Sequence, residues 1–216
     1  MRMRKKKHLA SRTERCKALL IDTASAPRGS WLSSCGKAGG ELHLEIGCGK
    51  GRFLSEHALR APDSLFVGVE REPNVLLLAL ERATNAAVPN IRFLGTDARL
   101  LPDVFAEQEV DRIYLNFSDP WPATNRAKRR LTHRGFLAAY DRFLKPGGEV
   151  WVKTDNQKLF EFSVCELSQF GYTIMELTYD LHATETDNIM TEYEERFTAQ
   201  GMPIHRCVAR KPASAD

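Results

Sequence analysis

Residues 42–51 read LHLEIGCGKG, and the fold turns on this stretch. Leu42, Leu44 and Ile46 alternate with His43 and Glu45, the period-two pattern of a strand. Gly47, Gly49 and Gly51 follow, and residues 52–59, RFLSEHAL, predict a helix. Strand, glycine turn and helix form the opening unit of a nucleotide-binding α/β fold. Glycine lets the backbone turn tightly and approach a ligand with no Cβ in the way, and a helix N-terminus offers unpaired N–H donors.

The glycines are spaced G-x-G-x-G, and Arg52 stands where a dinucleotide fingerprint has its third glycine. Three close glycines after a strand carrying Glu45 suit S-adenosylmethionine, whose amino-acid end needs N–H donors and a nearby carboxylate. A purely structural turn would give the same cluster, so the acidic residues downstream must separate the two.

Upstream, residues 1–40 read as a basic N-terminal extension to a domain spanning 41–216. Arg2, Arg4, Lys5, Lys6 and Lys7 crowd its start, where a disordered tail and an RNA-gripping arm are equally open. Residues 9–21 predict a short helix, and 26–30 and 36–40 are loop-like. Downstream, strands predicted at 64–70, 91–94, 111–117, 149–154, 173–179 and 204–209 alternate with helices at 73–84, 132–144 and 157–169. Pro73 suits a first helical turn, and Lys145-Pro146-Gly147-Gly148 is a helix stop. This alternation predicts an α/β fold with a doubly wound, mostly parallel seven-stranded sheet whose last strand is antiparallel.

The chain has 216 residues, 43% of them hydrophobic and 27% charged, with a formal net charge of +3. That length supports one domain with a sizeable core. The 5 cysteines are scattered without a C-x-x-C pair, which argues against a disulfide framework or zinc site and suits a reducing cytosol. No apolar run approaches the ~20 residues of a membrane span. Glu14, Arg15 and Lys17 interrupt any signal-peptide stretch. A cytoplasmic protein with no membrane partner and no metal is expected, monomer or homodimer being left open.

In a doubly wound sheet, ligands bind beyond the carboxyl ends of the strands. Those ends carry Glu45, Glu70, Asp97 and Asp119, with Lys153, Thr154 and Asp155 after the fifth strand. Glu70 is spaced to accept both ribose hydroxyls, and Asp97 to orient an adenine edge for which Ala98 leaves room. Single strand-end carboxylates are ordinary loop residues; four at successive ends below a glycine turn point to a ligand. Asp119-Pro120-Trp121-Pro122 sets a carboxylate and an indole on stiff backbone at the reactive edge. Trp121 either stacks on a base or covers the core. Arg126, Lys128, Arg129 and Arg130 follow at once, a cluster placed for phosphate binding. Residues 191–197, TEYEERF, are polar and aromatic enough to close the site.

LHLEIGCGKG, FVGVE, GTDA, SDPWP, AKRRL, KPGG, VKTDN and TEYEERF together resemble the bacterial tRNA (guanine-N7)-methyltransferases over nearly the whole chain. The glycine turn is shared by many methyltransferases, whereas SDPWP with AKRRL and TEYEERF is specific. The resemblance implies a Rossmann-like class I fold, S-adenosylmethionine as cofactor, and methylation of the guanine at position 46 of tRNA. It implies that Glu45, Glu70, Asp97 and Asp119 bind cofactor, with Asp119 also the catalytic carboxylate; Gly47, Gly49, Gly51 and Ala98 join that set by their place in the turn and beside Asp97. Asp155 and the Thr191–Glu194 stretch with Tyr193 would meet the substrate, and Lys128 to Arg130 the RNA; Trp121 and Arg126 join those two sets by position. Many members follow DPWP with a lysine; here Ala123 occupies that place, so either a cation such as Arg126 substitutes or the contact is missing. Two rivals stay open. An adenine amino-group methyltransferase carries a related proline motif in a different order, and a non-enzymatic RNA-binding protein would need only the basic runs.

Overall fold

A computed structural model describes residues 6–184 and 187–213. Arg2, Arg4 and Lys5 of the basic run therefore lie outside the described residues. The chain opens with α1 (Leu9–Arg15), β1 (Leu20–Ile21) and α2 (Trp31–Ser34). The glycine unit is β2 (Leu42–Ile46) followed by α3 (Arg52–Arg60). Next come β3 (Leu65–Val69), α4 (Pro73–Asn85), β4 (Ile91–Leu94), α5 (Leu101–Val104) and β5 (Val110–Asn116). The second half holds α6 (Arg134–Phe143), β6 (Leu144–Thr154), α7 (Gln157–Gln169), β7 (Thr173–Thr178), α8 (Leu181–Thr184), α9 (Glu192–Thr198) and β8 (His205–Arg210).

The strands form one sheet in the order β1-β4-β3-β2-β5-β6-β8-β7. All pairings from β1 to β6 are parallel, and β8 lies antiparallel between β6 and β7. The order reverses at β2, so the crevice beside β2 and β5 is the place where such a sheet takes its ligand.

Side chains alternate along a strand, so β3 and β4 serve two cores. Leu42, Leu44 and Ile46 of β2 join Val67, Val69, Ile113, Leu115, Val150 and Val152 in the main core under α6 and α7. Phe66, Ile91 and Phe93 face the other way, into a second core with α3 and α4. That alternation places Glu45 on the α3 face, one residue from the main-core Leu44 and Ile46.

Two expectations change. The stretch 9–21 is helical only as far as Arg15, and Leu20–Ile21 pairs in parallel with β4 as an eighth strand. A two-residue strand is too short to show a period in sequence. Before Glu41, Trp31 is fully buried in the main core and its indole N–H donates to the Val104 carbonyl. β6 also runs through the Lys145–Gly148 stop and reaches back to Leu144. Gly147 there takes φ 76°, and the β5–β6 register shifts between Val110 and Arg112, so the stop is absorbed as an irregularity inside the strand.

Candidate active site

A cavity of about 730 Å³ opens beyond the ends of β2 to β5. Its walls are the turns after these strands together with Thr191, Glu192, Tyr193 and Arg196. Gly47 and Gly49 line it with φ 81° and 57°, and a Cβ on either would meet nothing within 4 Å. Backbone there is bare toward the cavity. Gly51 serves packing instead. A Cβ on it would come 2.9 Å from the Ala79 Cβ, so this glycine lets α3 and α4 approach, and it does not line the cavity.

Glu45 projects from β2 into the cavity and is 2% exposed. Its Oε1 accepts from Asn116 Nδ2 at 2.8 Å, while its buried Oε2 has no partner. Burial pushes this carboxyl up to about 8, against the opposing pull of Asn116 and Lys153. A buried carboxylate oxygen with no donor, facing open space beside bare glycine backbone, fits a ligand bearing an ammonium group. Glu70, at the end of β3, is also raised by burial, opposed by backbone N–H groups of Glu72, Gly49 and Arg71. Asp97 follows β4; a side-chain bond from Arg99 holds it below the usual carboxylate range. Ala98 is nearly buried and completes that wall. The residues present fit S-adenosylmethionine: carboxylates for its ammonium and ribose, and a small residue beside Asp97 for its ring.

The fourth wall is the loop after β5. Asp119 is exposed at the cavity mouth. Phe117 and Trp121 on either side of it take positive φ, 49° and 39°. Such conformations cost ~1–3 kcal/mol for a non-glycine residue and persist only where surroundings enforce them. Arg130 braces the Trp121 end, its Nε donating to the Pro120 carbonyl at 2.9 Å and its Nη2 to the Trp121 carbonyl at 3.1 Å, while the Phe117 N–H donates to the Lys153 carbonyl. The same guanidinium sits 4.4 Å above the Phe162 ring. Arg129 lies 4.8 Å from the Trp121 ring, and Phe117 stacks on Tyr193 and Phe197. Trp121 is half-buried and lines the cavity.

The last wall is α9. Thr191 caps it by accepting from the Glu194 N–H, and Glu194 reaches back to the Thr191 N–H, a reciprocal capping box. Thr191, Glu192, Tyr193 and Arg196 line the cavity. Lys50, Arg71, Arg99, Lys128 and Arg129 add positive charge around it.

Of the residues singled out in the sequence, Gly51, Arg126, Arg130, Asp155 and Glu194 do not line the cavity. Arg126 is exposed on a 3-10 turn over Thr124–Arg129, and Asp155 is half-buried beside the start of α7. Arg130 is spent on two carbonyls of its own loop. Glu194 is fully buried and paired with Lys153 at 2.9 Å, so its carboxylate faces the interior. Sequence reasoning missed Asn116, although its place before SDPWP at a strand end was the available signal. Among the described residues, no group of three or more His, Cys, Asp or Glu could hold a metal ion. No helix there is long and apolar enough to cross a membrane.

Residues 40–207 match a family model described as "Putative methyltransferase". The tRNA (guanine-N(7)-)-methyltransferase of Geobacillus thermodenitrificans is 44% identical over 213 residues, which cover 98% of each chain. Its counterpart in Lachnoclostridium phytofermentans is 47% identical over 184 residues, 84% of this chain and 86% of that one. Among solved structures, the 16S rRNA methyltransferase KamB is similar with a TM-score of 0.65 at 13% identity, over 85% of this chain and 94% of that one, a likeness of fold alone. With such relatives along nearly its whole length, the chain belongs to the tRNA (guanine-N7)-methyltransferase family, enzymes of the S-adenosylmethionine-dependent class.

Proposed function

We propose that this enzyme transfers the methyl group of S-adenosylmethionine to N7 of the guanine at position 46 of cytoplasmic tRNA, with Asp119 orienting the base. The supporting observation is that Glu45, Glu70, Asp97 and Asp119 all line one cavity. When bound, the cofactor supplies an electrophilic methyl on a sulfonium sulfur. Glu45 holds its ammonium, Glu70 its ribose, and Asp97 with Ala98 its adenine edge. Guanine N7 carries a lone pair and no proton, so the chain needs no general base at that atom. What the residues supply is alignment, which can contribute ~7–11 kcal/mol when reacting atoms are held in line.

Asp119 accepts from the guanine N1–H and N2–H and offsets positive charge as the ring is alkylated. Trp121 gives the base a flat surface. Lys128 and Arg129, which line the mouth where Arg126 does not, hold neighbouring phosphates and supply the cation missing at Ala123. The test is purified protein with S-adenosylmethionine and unmodified tRNA, followed by nucleoside mass spectrometry. Formation of 7-methylguanosine, lost when position 46 is changed to adenine, is the expected result. A methyladenosine product, or none, overturns the reading.

A further inference from the structure

Lys153 is the penultimate residue of β6, its side chain only 4% exposed, and it takes no part in the chemistry above. Its Nζ donates to the Ile189 carbonyl at 2.9 Å, to Asn188 Oδ1 at 3.1 Å and to Glu194 Oε2 at 2.9 Å. An ammonium has three protons, and all three go to residues 188–194. Phe53 of α3 closes the site from the other side, its ring 4.9 Å from the same nitrogen. Glu194 is equally committed: its second oxygen accepts from Asn188 and lies 3.3 Å from His182 Nε2.

Burial lowers the Lys153 ammonium below the ordinary lysine value, against the opposing pull of Glu194 and Glu45. Two buried charges paired this closely are costly to separate, because either one left alone is an uncompensated ion. The exposed bridges at the outer rim of α9, Arg52–Glu195 and Arg82–Glu192, contribute little by comparison. The anchored stretch is also the one that carries Tyr193 and Arg196 to the cavity, and Tyr193 with Phe197 stacks on Phe117, two residues before Asp119.

We propose that Lys153 is a positioning residue, which through Glu194 fastens residues 188–198 as the wall of the cofactor cavity and so steadies the loop bearing Asp119. This rests on the reading of that cavity as the methyl-transfer site.

The experiment replaces both partners at once, Lys153→Met with Glu194→Leu, so that no lone charge is left buried. Trypsin cleavage at Arg196, KM for S-adenosylmethionine and kcat are then compared with the parent protein. Cleavage at Arg196 and KM should each rise about tenfold, the scale of one lost coupling, while the variant still melts cooperatively. A purely structural role would lower the melting temperature without moving KM. A cooperatively melting variant with the parent's cleavage rate and parent KM overturns the proposal.

Hydrogen exchange on the unaltered protein tests the same anchor without any substitution. Amides of 192–198 should be protected as well as those of α3; exchange at open-loop rates overturns the proposal. If the parent itself forms no 7-methylguanosine, the functional reading fails, while cleavage and exchange still decide the anchor.

Discussion

The half of the cavity proposed for the cofactor and the half proposed for the substrate are built by different means. On the cofactor side, β2, β3 and β4 are neighbouring parallel strands in register, with Glu45 opposite Gly68 and Val69 opposite Leu94. Glu45, Glu70 and Asp97 stand there because those strands end there. On the substrate side, the loop 117–130 and α9 come from distant parts of the chain. Side chains join them: Arg130 on two carbonyls, Phe117 against Tyr193 and Phe197, and Lys153 on Glu194. Geometry set by backbone register survives most single substitutions. Geometry set by side-chain contacts can be lost through one.

The sharpest break in this comparison is Asp119→Ala. It should lower kcat by ~10²–10³-fold, the cost of one aimed electrostatic group, a larger loss than that in cofactor affinity measured by calorimetry. Equal losses in both would mean that the two halves are not separable.

Glu45→Gln should do the reverse, weakening cofactor binding by ~10–100-fold through loss of one charged contact in the same calorimetric titration. Its stability has a definite sign. The folded carboxyl titrates near 8, above its ordinary 4.5, so the fold loses stability as pH rises from 4.5 towards 8 and levels off beyond. Glutamine does not ionise, so the variant's melting temperature should lack that part of the decline across this window. Binding an ammonium beside Glu45 favours its ionised form, so parent protein should release a proton on binding at pH 7, which buffers of different ionisation enthalpy detect.

Arg130→Ala tests how far the substrate half depends on side chains. Losing its two charge-assisted bonds should cost about 1–3 kcal/mol in denaturant unfolding and lower kcat more than it raises cofactor KM. Arg129→Ala is the mildest. It should weaken tRNA binding several-fold and reduce the slope of log affinity against log salt by about 1, with melting unchanged.

The same division governs what could be read in advance. The glycine turn, the strand-end carboxylates and the strand–helix alternation follow local rules, and the sheet order agrees with them. Gly51 was legible as a glycine but not as a helix-packing contact, because Ala79 lies on another helix. Arg130 was legible as a cation next to the site, yet the carbonyls it would meet depend on how its own loop folds. Glu194, inside the 191–197 stretch expected to close the site, points inward because Lys153, forty-one positions earlier, lies beneath it.

Sequence alone determined the doubly wound α/β class, the glycine turn and the carboxylates at the strand ends, since a period of two and a glycine cluster are local signals. The tertiary structure decided that β1 joins the sheet, that Arg130 braces its own loop and that Lys153 holds α9. The physical reason is that a buried charge takes whichever partner packing brings within hydrogen-bond distance, and that partner is set by the whole fold.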